Sequence, residues 1–338
     1  MTRKINEDNE RIKRDYLTFL REANRCDQTT VDKAAVAILS FEASTGYKSF
    51  KRFHLAQATA FKRKLDSEPS KSTGRPLSKA TISGTLRAVK GFIHWLAGQP
   101  GYRSKISYSD AEYFNQNAKD ARIAHTERDT PYPSMEQCRH AFATMAAGTD
   151  IEWRDKAMFA FLMLTGARDG AIASLRLKRI DLVEGCVYQD ARDVKTKGAK
   201  TFTTWFLPVD PTYRKCFDAW VRHLREERLF GGEDALFPKR LMGLRDGSFA
   251  SIGLSRDCYG NAGQVRDVIK GAFVAAGLPA FAPHSFRKTL TVWADRYYPT
   301  REGFKAFSQN IAHDSVVTTV GSYLPVSRER QAELIRGR

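Results

Sequence analysis

A polar stretch at residues 118–134 most constrains how this chain of 338 residues can fold. It contains Pro131 and Pro133 and lacks the regular spacing of apolar residues that a helix or a strand needs. Regular apolar patterns occur on both sides of it. We therefore interpret it as an interdomain linker, drawn at residues 126–133, between a domain of residues 1–125 and a domain of residues 134–338.

The first domain is predicted to be helical, because its apolar residues follow the period of an α-helix. Residues 7–25 carry one apolar stripe at helical spacing. We expect Thr29 or Thr30 to cap a second helix and residues 55–65 to form a third. Ser78 opens the strongest helical pattern of this half of the chain.

The second domain is also predicted to be rich in helices. Ser134 and Gln137 have the spacing of a capping box at a helix start. Residues 153–164 are apolar enough for a buried helix, which should end at the Thr-Gly pair that follows. Further helical patterns occur at residues 212–229 and 265–276, and a glycine follows the second of these as a helix stop.

Short strands are predicted between these helices. Residues 186–188, Val194 and residues 203–208 have the composition of strands and flank a lysine-rich turn at residues 195–200. The predicted fold class is therefore mainly α, with a small β-sheet in the second domain.

The charge of the chain indicates a polyanionic partner. Its 55 lysines and arginines outnumber 38 aspartates and glutamates, which gives a formal charge of +17. Residues 1–128 contribute +10 of this excess and residues 129–338 contribute +7. Because phosphate contacts release counterions, we expect both domains to grip the same nucleic acid.

The cysteines and the N-terminal residues indicate a cytoplasmic protein. The five cysteines are scattered without C-x-x-C spacing, so we expect reduced thiols and neither disulfides nor a metal site. The first residues lack the apolar core of a signal peptide, and no segment reaches the roughly 18 uninterrupted apolar residues of a membrane span. We therefore predict no membrane partner.

Side chains suited to a phosphodiester occur near the C-terminal end, at His284, Arg287, His313 and Tyr323. The imidazoles and the guanidinium can donate hydrogen bonds to phosphate oxygens, and the phenol hydroxyl can act as a nucleophile. Arg168 would complete a clamp of two guanidinium groups. Because negative charge grows on the phosphate oxygens in the transition state, these cations would supply most of the catalysis.

In these motifs the chain resembles the tyrosine recombinase (integrase) superfamily. The matching motifs are Thr165-Gly166-Ala167-Arg168, Pro283-His284-Ser285-Phe286-Arg287, Ile311-Ala312-His313, Thr318-Thr319 and Tyr323. The ordered set is far more specific than any one motif. The resemblance implies the tyrosine recombinase fold, in which a helical core-binding domain clamps DNA and an α-rich catalytic domain contains a small antiparallel β-sheet.

The resemblance also implies a mechanism and partners. Tyr323 would bond to the 3′ side of the cut strand, and the 5′ hydroxyl would leave. The bond energy would stay in the phosphotyrosine, so no cofactor and no metal ion are expected. The family exchanges strands through a Holliday junction, as a homotetramer on paired double-stranded DNA sites, and accessory DNA-bending proteins are further partners that the resemblance allows.

A lysine in the turn between the strands is the general acid that the resemblance implies. Lys197 resembles the hairpin lysine of the family, and Lys195 and Lys200 remain alternatives because the register of a hairpin is not fixed by its sequence. His284 and His313 would donate to the phosphate or manage the proton of the tyrosine.

Three features depart from the family pattern. The step from His313 to Tyr323 is one residue longer than usual. Ala171 stands three residues after Arg168, where an acidic residue is common, and Lys288 stands where a histidine commonly follows the second arginine. The last two departures lie outside the core catalytic set and indicate a divergent branch.

Two other functions are compatible with these motifs. A type IB topoisomerase or a telomere resolvase uses similar residues without exchanging partners. A non-cleaving DNA-binding accessory protein would keep the fold alone. The intact set of catalytic residue types favours the recombinase over this last alternative.

Overall fold

The computed structural model describes residues 5–70, 74–125, 130–245 and 248–313. The chain forms two compact units, residues 1–128 and 129–338, and each has its own hydrophobic core. The predicted fold class is confirmed, because the described residues are mainly α-helical and include small antiparallel sheets in the second unit. Among the described residues, every helix is too short or too polar to span a lipid bilayer.

The first unit is a helical bundle. Its described α-helices are α1 (Glu7–Glu22), α2 (Gln28–Ser44), α3 (Leu55–Ser67), α4 (Lys79–Ala97) and α5 (Ala118–His125). α4 starts after Ser78, whose side chain accepts a hydrogen bond from the backbone N–H of Thr81, as predicted. The predicted cap at Thr29 or Thr30 is wrong, since the carboxylate of Asp27 caps α2 by accepting from Thr30 N at 2.7 Å.

The polar stretch at residues 118–134 begins with a helix, so its interpretation as linker is wrong for residues 118–125, which precede the linker drawn at residues 126–133. α5 forms from its first residues and packs against α4. The amine of Lys79 lies 2.9 Å from the carboxylate of Asp120, and Asn117 Oδ1 accepts from Asp120 N at 2.7 Å. Polar contacts hold this helix, which explains why apolar periodicity did not predict it.

The second unit is built around one buried helix. Its described α-helices are α6 (Met135–Thr144), α7 (Asp150–Thr165), α8 (Asp169–Ile172), α9 (Pro211–Arg222), α10 (Gly263–Ala275), α11 (Pro283–Tyr297) and α12 (Arg301–Asn310). Every residue from 157 to 165 in α7 is buried, as the apolar run predicts. α7 begins before the predicted start, because Thr149 and Glu152 form a capping box. Ser134 and Gln137 cap α6 as predicted.

A three-stranded antiparallel sheet carries the lysine-rich turn. Its strands are β1 (Ile180–Asp181), β2 (Cys186–Gln189) and β3 (Phe202–Trp205), in that order across the sheet. Gln189 pairs with Phe202, so the turn lies in the connection beyond this pair. The predicted strand at Val194 is wrong. Val194 is buried within the connection, where its N–H donates to the carbonyl of Asp190 at 2.8 Å.

A second hairpin, formed by β4 (Arg240–Arg245) and β5 (Ser248–Leu254), is not predicted by the apolar pattern. The sequence between its strands is Asp246-Gly247, a pair typical of two-residue hairpin turns. A local signal for this hairpin therefore exists in the sequence. A Cβ at Gly243 in β4 would lie 2.5 Å from Ile252 Cδ1, so the end of that half-exposed side chain would have to move.

Candidate active site

The turn after α7 places Arg168. Gly166 ends the helix in the left-handed conformation, with φ 57°, which glycine adopts without steric cost. The hydroxyl of Thr165 donates to the carbonyl of Phe161 at 2.7 Å and accepts from Ala167 N at 3.1 Å. Arg168 follows as the N-cap residue of α8 and is half-buried. The Thr-Gly-X-Arg motif is therefore a hydrogen-bonded helix end that places Arg168 at the start of α8.

Arg287 joins this turn to the end of α12. It lies in the second turn of α11, and 2% of its surface is exposed. Nη1 donates to the carbonyl of Gly166 at 2.6 Å, and Nη2 donates to the carbonyl of Ile311 at 2.5 Å. These acceptors are 121 and 24 positions away in the sequence, so one guanidinium ties three separate segments together.

His313 also contacts Arg287. Its Nε2 lies 2.7 Å from Arg287 Nη2. A guanidinium nitrogen can only donate, so His313 Nε2 is the acceptor and the neutral ring carries its proton on Nδ1. The second arginine therefore selects the tautomer of this histidine, which can donate only from Nδ1.

The chain reaches His313 through a Schellman motif at the end of α12. The N–H of His313 donates to the carbonyl of Ser308 at 3.0 Å, and the N–H of Ala312 donates to the carbonyl of Gln309 at 2.8 Å. Ala312 occupies the left-handed position of this motif, with φ 54°, where glycine is preferred.

Ala312→Gly is expected to raise the free energy of unfolding by about 0.5–1 kcal/mol, because the left-handed conformation costs an L-residue more than glycine loses in chain entropy. Urea denaturation measures the change. Ala306→Gly, at an exposed position within α12, is the matched control and should instead lower stability by about 0.5–1 kcal/mol. A loss of stability in both variants would contradict the backbone geometry at Ala312.

Arg168 and Arg287 line one small pocket. Its other walls come from the turn after α7, from β2 and β3, and from Ile311. In the described part of the chain the guanidinium of Arg168 makes no hydrogen bond or ion pair, whereas that of Arg287 is held by backbone carbonyls and by His313. The pocket thus combines a fixed cation with one whose donors are available to an anion.

The lysine-rich turn adjoins this pocket through Thr196. Its tip is a short 3-10 turn, Lys197–Ala199, in which Gly198 and Ala199 have φ of 71° and 51°. The hydroxyl of Thr196 donates to the carbonyl of Lys200 at 2.7 Å, which closes the turn. Backbone geometry therefore presents the turn as a defined loop at the edge of the pocket.

Lys195 forms its hydrogen bonds with residues outside the lysine-rich turn. Its Nζ donates to the carbonyl of Gly260 at 2.7 Å, and its backbone N–H donates to the hydroxyl of Ser174 at 2.8 Å. The first lysine of the turn is therefore engaged with the body of the unit.

A buried carboxylate anchors the start of the turn. Asp190 is 1% exposed and accepts hydrogen bonds from Arg192 Nε at 2.9 Å and Arg192 Nη2 at 2.5 Å. Arg179 Nη2 lies 3.2 Å from Asp190 Oδ2. Hydrogen bonds from the side chain and the backbone of Arg192 hold the pKa of Asp190 well below its usual range. The carboxylate therefore stays ionised at neutral pH and keeps the connection fixed to the sheet.

Of the two remaining predicted site residues, the structure describes His284 but not Tyr323. His284 is exposed in the first turn of α11, three residues before Arg287 and therefore on the same side of the helix. Tyr323 lies outside the described residues, as does Thr318-Thr319. The site can therefore be described as far as His313.

Two of the three departures from the family pattern, Ala171 and Lys288, lie among the described residues. Ala171 is buried in α8, and the neighbouring carboxylate of Asp169 lies 2.5 Å from Arg266 Nε. Lys288 Nζ lies 4.6 Å from the centroid of the Tyr132 ring, a cation–π distance. A carboxylate that supports Arg168 is absent from the described residues.

Three polar residues that sequence analysis did not predict connect the sheet to α12. They are Asn310, Thr204 and Gln189. Trp205 N donates to Asn310 Oδ1 at 2.7 Å, and Asn310 Nδ2 donates to the carbonyl of Trp205 at 2.9 Å. These partners are 105 positions apart, and no motif marks them. A polar residue in the last turn of α12 was the available signal.

Comparison with known proteins gives a family match for the second unit. Residues 134–330 match the model of the phage integrase family. Tyrosine recombinase XerC from Shigella flexneri serotype 5b (strain 8401) and from Shigella dysenteriae serotype 1 (strain Sd197) are each 24% identical to this chain over 228 residues. The match covers 67% of this chain and 66% of each relative's length.

Solved structures share the fold at low sequence identity. A lambda integrase dimer bound to a COC′ core site is 12% identical, with a TM-score of 0.62, and the match covers 94% of this chain and 96% of that one. The Tn1549 transposon integrase in complex with transposon right end DNA is 16% identical, with a TM-score of 0.53, and the match covers 96% of this chain and 98% of that one.

Proposed function

This chain belongs to the phage integrase family, and from that premise we propose that it is a site-specific DNA recombinase. It cleaves and rejoins DNA strands through a covalent 3′-phosphotyrosine intermediate at Tyr323. The observation that carries the proposal is the pocket lined by Arg168 and Arg287, with His313 bonded to the second arginine. Two guanidinium groups at one pocket suit the two non-bridging oxygens of a scissile phosphate.

Double-stranded DNA is the proposed substrate. Both solved relatives named above were bound to DNA, and both parts of this chain carry an excess of positive charge, +10 and +7. Counterion release from the backbone phosphates would supply much of the affinity. Binding should therefore weaken steeply as salt is raised.

In the proposed cleavage step, the oxygen of Tyr323 attacks the phosphorus and a new P–O bond forms. The bond from phosphorus to the 5′ oxygen breaks, and its electron pair stays on that oxygen. Lys197 donates a proton to the 5′ oxygen, so the leaving group is a neutral hydroxyl. The proton of the tyrosine passes to a histidine or to water. Ligation is the same step in reverse, and it needs neither a metal ion nor ATP.

Each cation has a distinct proposed role. Arg168 and Arg287 bind the phosphate oxygens, His313 donates to the phosphate from Nδ1, and His284 donates to the phosphate or accepts the tyrosine proton. The hydrogen bond from the Lys195 amine to the carbonyl of Gly260 supports Lys197 over Lys195 as the general acid. Lys200 remains the alternative to Lys197.

The proposed reaction ends in exchange of strands between two sites. Four copies of the chain on paired sites cut one strand at a time and pass through a Holliday junction. Integration, excision and resolution all use this chemistry, and accessory DNA-bending proteins are proposed partners.

Trapping on a nicked suicide substrate tests the proposal. The cut releases a short fragment, so religation fails, and an SDS-resistant adduct of protein and DNA is expected to accumulate. Mass spectrometry should place the DNA on the peptide that contains Tyr323. Tyr323→Phe keeps the ring, removes the nucleophile and serves as the control without adduct.

Other outcomes of this test point to other functions. No adduct at all on a bound cognate site would indicate an accessory DNA-binding protein. An adduct on Tyr323 with relaxation of supercoiled plasmid, and no recombinant from a two-site plasmid, would indicate topoisomerase activity. An adduct on Tyr297 or Tyr298 would contradict the assignment of the nucleophile.

A further inference from the structure

Asn310 extends the edge of the sheet that carries the lysine-rich turn. β3 is the outer strand of the order β1-β2-β3, so its backbone groups have a sheet partner on one side. The side chain of Asn310 bonds both backbone groups of Trp205 on the other side, at 2.7 and 2.9 Å. One amide side chain thus replaces the donor and the acceptor of a neighbouring strand.

Two buried side chains extend this connection to β2. The hydroxyl of Thr204 donates to the backbone carbonyl of Asn310 at 3.0 Å and accepts from Gln189 Nε2 at 3.0 Å. Thr204 is 1% exposed and Gln189 is 3% exposed, so water does not compete with these bonds. Both strands that lead into the lysine-rich turn are therefore tied to the end of α12.

The residues after Asn310 hold the other half of the site. The carbonyl of Ile311 accepts from Arg287, and the Schellman motif at Ala312 sets the backbone of His313, whose ring accepts from Arg287. Residues 310–313 thus connect the lysine-bearing sheet to the arginine and histidine that line the pocket. A shift at Asn310 would change the distance between these two groups.

We propose that Asn310 is a positioning residue that keeps the general-acid lysine in reach of the leaving 5′ oxygen. The inference rests on the recombinase chemistry proposed above. Losing the two bonds to Trp205 lets the sheet edge move relative to the phosphate-binding residues, and a misplacement of ~1 Å can lower a rate by ~10²-fold. The defect should fall on proton donation, because Arg168 and Arg287 are not attached to this sheet by those bonds.

The test uses a substrate in which sulfur replaces the bridging 5′ oxygen. A thiolate leaves without being protonated, so cleavage of this substrate needs no general acid. Asn310→Ala is expected to cleave the normal phosphodiester ~10²-fold more slowly than the wild type but the sulfur substrate within a few-fold of it. Lys197→Ala should give the same pattern, and Arg168→Ala should be slow on both substrates because the phosphate charge still needs neutralising.

Gln309→Ala is the matched control, since Gln309 is exposed and directly precedes Asn310 in α12. This variant should cleave both substrates normally. Thr204→Val, which removes the hydroxyl, should show the pattern of Asn310→Ala more weakly and decides the matter if Asn310→Ala does not fold. A folded Asn310→Ala that is equally slow on both substrates, or normal on both, overturns the inference. Failure of the wild type on both substrates overturns the proposed function instead.

Discussion

Replacing Arg287 by alanine is expected to lower the free energy of unfolding of the second unit by about 3 kcal/mol and to abolish measurable DNA cleavage. The side chain is almost fully buried, and its removal leaves the carbonyls of Gly166 and Ile311 without their donors. An unsatisfied buried acceptor costs about 1–3 kcal/mol, and two are created at once. The variant should thus lose structure and activity together.

Urea denaturation followed by tryptophan fluorescence measures this effect in the second unit. Four of the five tryptophans lie there, at Trp153, Trp205, Trp220 and Trp293. Arg296→Ala, at an exposed position on the same helix, is the matched control and should change stability by less than about 0.5 kcal/mol. If Arg287→Ala unfolds at the same urea concentration as the wild type, its guanidinium does not hold these segments together.

Arg287→Lys separates charge from geometry at the same position. Lysine keeps a positive charge, but its compact ammonium cannot reproduce a planar fork that reaches Gly166 O, Ile311 O and His313 Nε2. Stability between that of the wild type and that of Arg287→Ala is expected, with cleavage still strongly reduced.

Local sequence signals predicted the helical elements of this protein well. Caps and apolar periods identified α4 after Ser78, α6 after Ser134 and the buried α7, because each depends on neighbours within a few residues. The Thr-Gly-X-Arg motif has a similar local basis. Gly166 supplies the left-handed turn, and the hydroxyl of Thr165 bonds both sides of it.

Local signals failed where polar or distant contacts determine the structure. α5 is held by the Lys79–Asp120 ion pair instead of an apolar stripe, and Val194 is buried without being in a strand. Several of the contacts that assemble the site join residues 105 to 121 positions apart, as between Asn310 and Trp205. Patterns of one residue type along the chain contain no information on such pairs, so the predicted site was a set of residues without a geometry.

The two arginines of the pocket should differ in their contribution to stability, with Arg287 contributing much and Arg168 little. Arg168→Ala is expected to slow cleavage by about 10³-fold, the typical cost of removing a cation that binds the charge of the transition state. Its stability should stay within about 0.5 kcal/mol of the wild type, because the guanidinium makes no hydrogen bond or ion pair with the described residues and is half-buried.

Single-turnover cleavage of a saturating suicide substrate, measured beside urea denaturation, separates these two effects for Arg168. Arg168→Lys should recover part of the rate, since charge returns without the paired donors of a guanidinium. Arg266→Ala is the control for a nearby exposed arginine, because it removes the partner of Asp169 and leaves Arg168 in place. A loss of stability in Arg168→Ala as large as that in Arg287→Ala would show that both arginines are structural, and the fall in cleavage would then be no argument for phosphate binding.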